Sequence, residues 1–327
     1  MKIEQRPLAT AANTILVHNI AFPSGQTAVR KGVSLTERHL ATLRELGHET
    51  VQVAVLAADD VTENEAAQTL AEALQTTYIE INQAAGGRVN LRAQVNGLFE
   101  VDAERLLALN MLPGIALATV PQHTVVGPDQ VTSQIATLKI IPYAIPQVEL
   151  QTALQFIQAD KPLLRLRPFP KNQQAALLLT GEPAVHPKLQ ADFEQPIQVR
   201  LERLGVTLTT VQTVPHQVAA IQAAATCLAQ QHDLLIVAGQ TSIMDAADIT
   251  PHALTAAGAE LTVFGAPAEP GNMLALAYFP HTPVLCAPGC ARSLDANIVD
   301  LLLPRLILGD RLERYDIAQF GLGGLLK

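Results

Sequence analysis

The second half of the chain alternates short apolar runs with longer segments of helical character, and this alternation limits its possible folds more than any other feature. The strand-like runs are AALLLTG, VTLTTVQTV, DLLIVAG, ELTVFGAP and PVLCAPG. Strands that are apolar along their whole length, with helices between them, are typical of a mainly parallel sheet covered on both faces. The sequence therefore predicts a three-layer α/β domain over residues 172–312, followed by a glycine-rich, flexible tail at 313–327.

Residues 1–165 are predicted to form a smaller, β-rich α+β region. NTILVHNIAF and ETVQVAVLA are strand candidates on either side of a helix that Thr36 can cap and Gly47 can end. Residues 86–146 alternate polar and apolar positions, as half-buried strands do. The composition changes at residues 161–174, where KPLLRLRPFPKNQQ holds three prolines and four basic residues. We expect the domain boundary there.

Charge and composition exclude several classes of partner. The net charge is −8, aromatic residues make up 4% of the chain, and tryptophan is absent. Nucleic-acid binding needs a concentrated positive surface and aromatic stacking platforms, so we expect no nucleic-acid partner. The sequence has neither an apolar run of about 18 residues nor the pattern of a secretory signal, which predicts no membrane partner and a cytoplasmic location.

Polar loops follow the predicted strands at the edge where α/β proteins bind ligands. The loop TGEPAVHP offers Thr180 and Glu182, VPHQ offers His216, and GQTSIMDAAD carries Asp245 and Asp248. Two carboxylates in one loop suit Mg²⁺, an activated water, or ligand hydroxyl and amine groups better than a bare phosphate.

Each of these residues also has a purely structural interpretation. Asp248 can equally cap the helix that Thr250 and Pro251 begin. Asp245 can be a solvated loop acid, and His216 can simply start a helix. The residues alone leave both interpretations open.

The loop PGCARS, residues 288–293, is a candidate anion site. Pro288 and Gly289 end a strand, and a helix is predicted to follow from Ser293. Free amides at a helix start attract anions, and Arg292 adds a positive charge. The alternative is an ordinary strand-to-helix turn capped by Ser293. Cys290 lies in this loop, but no base that could activate its thiol is identifiable.

Five short motifs occur in order along the second half. They are Thr180-Gly181-Glu182, AGQTS at 238–242, Asp248-Ile249-Thr250-Pro251, PGNM at 270–273 and APGCA at 287–291. The series resembles the loops of the molybdopterin-binding domain shared by molybdopterin adenylyltransferases, molybdopterin molybdotransferases and gephyrin, over about residues 174–310.

This resemblance implies molybdopterin as ligand or substrate, Mg²⁺ as a possible metal, and a role in molybdenum cofactor biosynthesis. If the protein is a transferase, the implied reaction is molybdate insertion or nucleotidyl handling, with Asp248 and Glu182 as catalytic residues and Asp248 as the Mg²⁺ ligand. The implied cofactor-binding positions are Thr180, Gly239, Gln240, Thr241, Ser242, Asp245, Pro270, Gly271, Pro288, Gly289, Cys290 and Ser293.

The first half adds to the resemblance. VRKGVSLTERHLATLRELGHETVQVAVL resembles a stretch of the molybdotransferases. The arrangement is most similar to the molybdopterin-binding half that is found fused to cytidylyltransferase-type proteins in some bacteria. Relatives form dimers or trimers, so the resemblance also implies a homo-oligomer.

Four positions depart from the family pattern. Asn272 stands where a lysine is usual, Gln240 where a glycine is, Cys290 where Asn or Gln is, and His216 where an acid is. These changes favour an alternative, in which the chain is a non-catalytic carrier or regulatory module for a separate nucleotidyltransferase or molybdoenzyme. A third hypothesis is a pyrophosphatase-like hydrolase of a nucleotide sugar such as ADP-ribose, because competence-damage-type proteins contain the same domain.

Overall fold

The chain divides into two compact units. The computed structural model describes residues 1–129 and 132–326. One unit comprises Met1–Val95 and Phe99–Leu166, and the other comprises Asn96–Leu98 and the residues from Arg167 onward. In the described part of the chain, no helix is long and apolar enough to cross a membrane.

The first unit is a mixed α+β structure of small antiparallel sheets. Its strands are β1 (Lys2–Pro7), β2 (Ile15–Leu16), β3 (Ile20–Ala21), β4 (Thr27–Val29), β5 (Thr50–Val55), β6 (Asp60–Thr62), β7 (Ile79–Ile81), β8 (Arg88–Ala93), β10 (Ile115–Thr119), β11 (Val125–Val126), β12 (Gln134–Ile140) and β13 (Ala144–Pro146). Strands β9 (Gly97–Val101) and β14 (Leu164–Pro168) carry the chain from one unit to the other. The helices are α1 (Glu37–Glu45), α2 (Glu63–Leu74), α3 (Ala103–Asn110) and α4 (Gln147–Ile157).

Local signals in the sequence set the helices of this unit. Thr36 caps α1 in a capping box with His39, and Gly47 follows the helix with a φ of 82°. The Thr62 hydroxyl accepts a hydrogen bond from the Glu65 amide at the start of α2. The largest sheet has the order β10-β12-β8-β7, and its buried face packs with α2 in one hydrophobic core.

The second unit is built on a six-stranded sheet of order β16-β15-β17-β20-β19-β18. Its strands are β15 (Gln174–Thr180), β16 (Thr207–Val214), β17 (Leu234–Gly239), β18 (Glu260–Phe264), β19 (Ala275–Tyr278) and β20 (Pro283–Cys286), and its helices are α5 (His186–Arg203), α6 (Val218–Gln231), α7 (Ile249–Ala256), α8 (Ile298–Ile307) and α9 (Arg314–Ala318). Strands β15, β16, β17 and β20 are parallel, and β19 runs antiparallel to both of its neighbours.

Both faces of this sheet are buried, which confirms the predicted α/β class. Ala176 and Leu178 pack against α6 and α7 in one hydrophobic core. Leu177 and Leu179 point to the opposite face because successive side chains of a strand alternate, and they are buried as well. A strand buried on both faces must be apolar along its length, which is why AALLLTG carries no polar residue before its last Thr-Gly pair.

The order of the strands fixes where a ligand site can form. From β15 the chain passes through α5 to β16 at one edge of the sheet, whereas from β17 it passes through α7 to β18 at the other edge. The loops after these two neighbouring strands therefore lead in opposite directions. In open α/β sheets this arrangement opens a crevice at the carboxyl ends of the two strands.

Two helix starts differ from the prediction. Proline favours the first turn of a helix, so the sequence predicts a helix start at Pro196. Helix α5 instead begins at His186, and Pro196 lies buried inside it. The apolar stripe of Leu189, Phe193 and Ile197 continues through Pro196, and Pro187 occupies the first turn, where proline is well tolerated. The burial gained along this stripe outweighs the main-chain hydrogen bond that the inner proline removes.

The last long helix begins later than predicted. Helix α8 starts at Ile298, not at Ser293, because Asn297 and Asp300 form a capping box. The Asn297 side chain accepts from the Val299 amide, and the Asp300 carboxylate accepts from the Asn297 amide. Ser293 instead exchanges hydrogen bonds with Asp295 five residues before the helix.

The glycine-rich end of the chain is held in place. Glu269 exchanges main-chain hydrogen bonds with this segment, donating to the Gly324 carbonyl at 2.7 Å and accepting from the Leu326 amide at 2.8 Å. A Cβ at Gly324 would overlap the carbonyl oxygens of Pro267 and Phe320. Gly324 therefore allows close packing of the segment that the sequence predicts to be flexible.

Candidate functional site

The residues that follow β16 and β17 line a cavity of about 270 Å³ at the carboxyl edge of the sheet. The cavity is lined by His216, Thr241, Ser242, Ile243, Met244, Asp248, Ile249 and Thr250. The structure thus brings together Thr241, Ser242 and Asp248 with His216, all of which the sequence offers as candidates. Glu182 and Asp245 are exposed and do not line this cavity.

Gln240 bridges the loops that follow β15 and β17. Its main-chain amide donates to the Thr180 carbonyl at 2.9 Å, and its side-chain oxygen accepts from the Glu182 amide at 3.1 Å. A glycine at this position could make only the first of these bonds. The glutamine therefore ties the two loops together at the crevice, a role that the sequence does not reveal.

Thr180 ends β15 with its side chain fully buried. Its hydroxyl oxygen lies 3.0 Å from Nδ1 of His216. Its methyl group lies toward Gly239, where an added Cβ would come within 3.3 Å of it. Thr180 therefore positions His216 through its hydroxyl, and Gly239 leaves the room that the methyl group requires.

Asp248 holds the β17 loop in shape and keeps one oxygen free. It stands at the N-cap position of α7, but its side chain makes no hydrogen bond to the first helical turn. Instead Oδ2 accepts from the amides of Met244 at 2.6 Å and Asp245 at 3.1 Å. Within the described residues Oδ1 has no hydrogen-bond partner. The interpretation of Asp248 as a plain helix cap is therefore wrong.

Asp245 shapes the same loop from its outer side. Its Oδ1 accepts from the Ala247 amide at 2.7 Å, two residues further along the chain. Such Asx-type turns are a common use of aspartate in loops. The carboxylate remains exposed.

The loop around Pro270 and Gly271 packs on the start of α8. The Ile298 amide donates to the Pro270 carbonyl at 3.2 Å. Gly271 has a φ of 125°, and a Cβ on it would overlap the Ile298 side chain. Because the Val299 amide is also engaged, by Asn297, the first amides of α8 have protein acceptors. The start of α8 is therefore engaged within the protein, and the anion site expected at the PGCARS loop stays a prediction.

A buried arginine organises the segment between β20 and α8. The Arg200 side chain is 2% exposed and makes an ion pair with Asp300 at 2.8 Å. It also donates to the main-chain carbonyls of Ala291 and Asp295. Arg200 belongs to none of the sequence motifs, although the helical stripe through Phe193, Ile197 and Leu201 places it on the buried face of α5.

The cysteines of this unit have little nucleophilic character where they are buried. Burial raises the pKa of the Cys290 thiol above its ordinary value, and it raises the pKa of Cys286 to about 12. A protonated thiol is a poor nucleophile. Arg292, beside Cys290, stacks over the ring of Phe193 at 4.8 Å.

Metal ligands are sparse at the cavity. In the ranges 1–129 and 132–326, no three side chains of His, Cys, Asp or Glu come together in a way that would hold a metal ion. Asp248 is the carboxylate among the residues that line the cavity.

Comparison with known proteins gives a family for the second half of the chain. Residues 176–307 match the model of a family described as a probable molybdopterin-binding domain. The resemblance inferred from the loops is thereby confirmed for residues 176–307. The matched residues include the strands β17 and β20 and the loops that line the cavity. No match was found among curated protein sequences.

Several solved structures are similar to this chain at low identity. A molybdenum cofactor biosynthesis protein from Pyrococcus furiosus is 12% identical, with a TM-score of 0.26 and coverage of 97% of this chain and 65% of that one. The molybdopterin biosynthesis moea protein from Pyrococcus horikosii is 13% identical, with a TM-score of 0.34 and coverage of 94% and 75%. A molybdopterin biosynthesis protein from Mycobacterium abscessus is 12% identical, with a TM-score of 0.31 and coverage of 42% and 92%. This chain thus spans 65% of the length of the Pyrococcus furiosus protein.

Proposed function

We propose that this protein binds molybdopterin in molybdenum cofactor biosynthesis, and that the ligand lies in the crevice at the carboxyl ends of β15 and β17. The observation that carries the proposal is the coincidence of three features in one place. The family match covers this part of the chain, the strand order opens a crevice there, and a cavity of about 270 Å³ is found there.

The lining side chains have the chemistry that a pterin or a phosphate needs. Oδ1 of Asp248 can accept from an N–H or hydroxyl group of the ligand, and the hydroxyls of Thr241 and Ser242 can donate or accept. Thr180, Gly239 and Gln240 do not line the cavity, but they hold the loops after β15 and β17 in position. Contacts of the ligand with Asp245, Pro270, Gly271, Pro288, Gly289, Cys290 and Ser293 stay predictions.

The residues that line the cavity could hold Mg²⁺ only if the bound ligand supplied further oxygen ligands. Proteins commonly hold Mg²⁺ through one or two carboxylates together with substrate phosphates and water. Asp248 would supply the carboxylate, and the metal would neutralise charge on the phosphate of the ligand. Glu182 lies outside the cavity lining, so a catalytic role for it, in molybdate insertion or nucleotidyl handling, stays a prediction.

One observation favours the alternative of a carrier without catalysis. Asp248 is the carboxylate that lines the cavity, and one of its oxygens is committed to the loop amides. A carrier would deliver the cofactor to a separate nucleotidyltransferase or molybdoenzyme, as a monomer or as the homo-oligomer that the resemblance implies. Assays of molybdate insertion and of nucleotidyl handling with the purified protein distinguish the two: turnover in either assay excludes a carrier-only role.

Replacing Asp248 with asparagine is expected to weaken molybdopterin binding about 10-fold to 100-fold. The amide oxygen of asparagine can still accept from the loop amides, so the loop keeps its shape while the negative charge is lost. Hydrogen bonds to charged groups contribute about 1.5–3 kcal/mol, which corresponds to this loss of affinity. Titration calorimetry with purified molybdopterin measures it.

Asp192→Asn is the matched control, since it removes one negative charge from an ion pair with Lys188 on the surface of the same unit. Its affinity should equal that of the wild type. If the wild type binds molybdopterin no more tightly than Asp248→Asn, the proposed place of the ligand is wrong.

A further inference from the structure

Two threonine–histidine pairs occur in the second unit, and they differ in one respect. In the first, Oγ1 of Thr180 lies 3.0 Å from Nδ1 of His216. In the second, Oγ1 of Thr210 lies 3.0 Å from Nε2 of His232, while Nδ1 of His232 faces the Leu228 carbonyl at 2.9 Å. The two hydroxyls thus contact opposite nitrogens of the two imidazole rings.

The packing around Thr180 restricts the orientation of its side chain. β-branched residues are restricted about the Cα–Cβ bond, and the methyl group of Thr180 fills the space that Gly239 leaves open. The hydroxyl is therefore directed to the other neighbouring strand, β16, beyond whose end His216 lies. Thr180 is fully buried, so no water reaches this hydroxyl from the surface.

A buried hydroxyl must donate its proton, because an unpaired buried donor costs about 1–3 kcal/mol. Within the described residues, the partner of the Thr180 hydroxyl is Nδ1 of His216. The hydroxyl can donate only if Nδ1 is the unprotonated, accepting nitrogen of the ring. The single ring proton of His216 is then on Nε2.

We propose that Thr180 fixes His216 as the Nε2–H tautomer and that His216 uses this hydrogen to bind an acceptor oxygen of the ligand. His216 lines the cavity, and its Nδ1 is occupied from behind by Thr180. Nε2 is the ring nitrogen that remains for the cavity. His216 is thus a ligand-contacting residue in this proposal, and Thr180 is its positioning residue.

The inference specifies which part of a ligand can face His216, and in this respect it rests on the proposed function. Asp248 and His216 both line the cavity. Oδ1 of Asp248 can only accept a hydrogen bond, and Nε2–H of His216 in this proposal can only donate one. A ligand must therefore present a donor group to Asp248 and an acceptor oxygen to His216. That oxygen belongs either to a phosphate group or to the carbonyl of an aminopyrimidinone ring such as that of a pterin.

The buried pair of Thr210 and His232 is an internal reference with the opposite tautomer. Because Nδ1 of His232 faces a carbonyl oxygen, which can only accept, the ring proton of His232 must be on Nδ1. One spectrum of the full chain, labelled with ¹⁵N in histidine, should therefore contain both tautomers. The His216 signals are assigned by their loss in His216→Gln, and those of His232 by their loss in His232→Gln.

The expected spectrum has the proton of His216 on Nε2 and that of His232 on Nδ1. Thr180→Val should shift both ring nitrogens of His216 toward a mixture of tautomers and leave His232 unchanged, whereas Thr210→Val should do the reverse. Thr180→Ser keeps the hydroxyl and should retain the wild-type signals of His216. A His216 proton on Nδ1, or signals that do not respond to Thr180→Val in a folded protein, would overturn the inference.

The donor role is tested by adding ligands to the same sample. The Nε2–H signal of His216 should shift with molybdopterin, and separate additions of inorganic phosphate and of free pterin identify the source of the acceptor oxygen. Molybdopterin that binds by calorimetry but leaves this signal unchanged would refute the donor role. Molybdopterin that does not bind at all would refute the proposed function instead, while the tautomer of His216 is decided without any ligand.

Discussion

Replacing Arg200 with methionine is expected to lower the free energy of unfolding by about 2–3 kcal/mol, because it removes the buried cation of an ion pair and leaves a main-chain carbonyl without its donor. Methionine keeps much of the length of the side chain but none of its donors. Asp300 would lose its cation and the Ala291 carbonyl would lose its donor, whereas the Asp295 carbonyl would keep the donor from the Asn297 side chain. Denaturation by urea, followed by circular dichroism, measures the effect.

Arg203→Met is the control for this prediction, since Arg203 is an exposed residue at the end of the same helix. Its substitution should change the stability by less than about 0.5 kcal/mol. Arg200→Lys should fall between the two, because lysine keeps the charge but cannot form the forked contact with a carboxylate. If Arg200→Met and Arg203→Met are equally stable, Arg200 does not hold the segment before α8.

Replacing Gly271 with alanine is expected to destabilise the protein by about 2–4 kcal/mol, from overpacking and from an unfavourable backbone conformation together. The new Cβ would overlap the side chain of Ile298 at the start of α8. The φ of 125° is one that residues other than glycine rarely adopt. A lowered midpoint of urea denaturation would record the loss.

Gly289→Ala is the matched substitution for Gly271→Ala. Gly289 also lies in a loop next to α8, but nothing lies within 4 Å of an added Cβ and its φ is not in the left-handed region. The stability of this variant should stay within about 0.5 kcal/mol of the wild type. A Gly271→Ala protein as stable as Gly289→Ala would contradict the close packing of this loop on α8.

The fold class of the second unit was predictable because the apolar runs of its strands are local features that recur along the sequence. Leu234 to Ala238 form an uninterrupted apolar run, and such a run in a parallel sheet must be buried on both faces. The sequence predicts an edge with polar loops for the same reason, since the apolar residues end where the strands end. Both features can be predicted from short stretches of sequence, without knowing which distant residues meet in the fold.

Helices α5 and α8 each had more than one candidate start residue in the sequence. Pro196 has the local character of a helix start, but the apolar stripe of α5 extends before it, and tertiary burial decides. Ser293 and Asn297 are both good cap residues, and Asn297 prevails because Asp300 stands three residues after it and completes the capping box. The three-residue spacing of Asn297 and Asp300 is thus the sequence signal that indicates this helix start.

The partners of the site residues could not be read from the sequence. Gln240 reaches Glu182 across 58 positions of the chain, and Thr180 reaches His216 across 36. Which groups meet at these distances depends on the order of the strands. The sequence therefore identifies the polar loops, and the fold decides that His216 lines the cavity and that Glu182 does not.

The most direct test of the proposed site is a molybdopterin titration of the chain labelled with ¹³C in its threonine methyl groups. Thr241 and Thr250 line the cavity of about 270 Å³ at the carboxyl ends of the strands, and Thr226 and Thr282 line a cavity of about 580 Å³ at the amino ends of β17 and β20. We predict that molybdopterin shifts the methyl signals of Thr241 and Thr250 and leaves those of Thr226 and Thr282 unchanged. Shifts confined to Thr226 and Thr282, or no shift at any of the four, would contradict the proposed site.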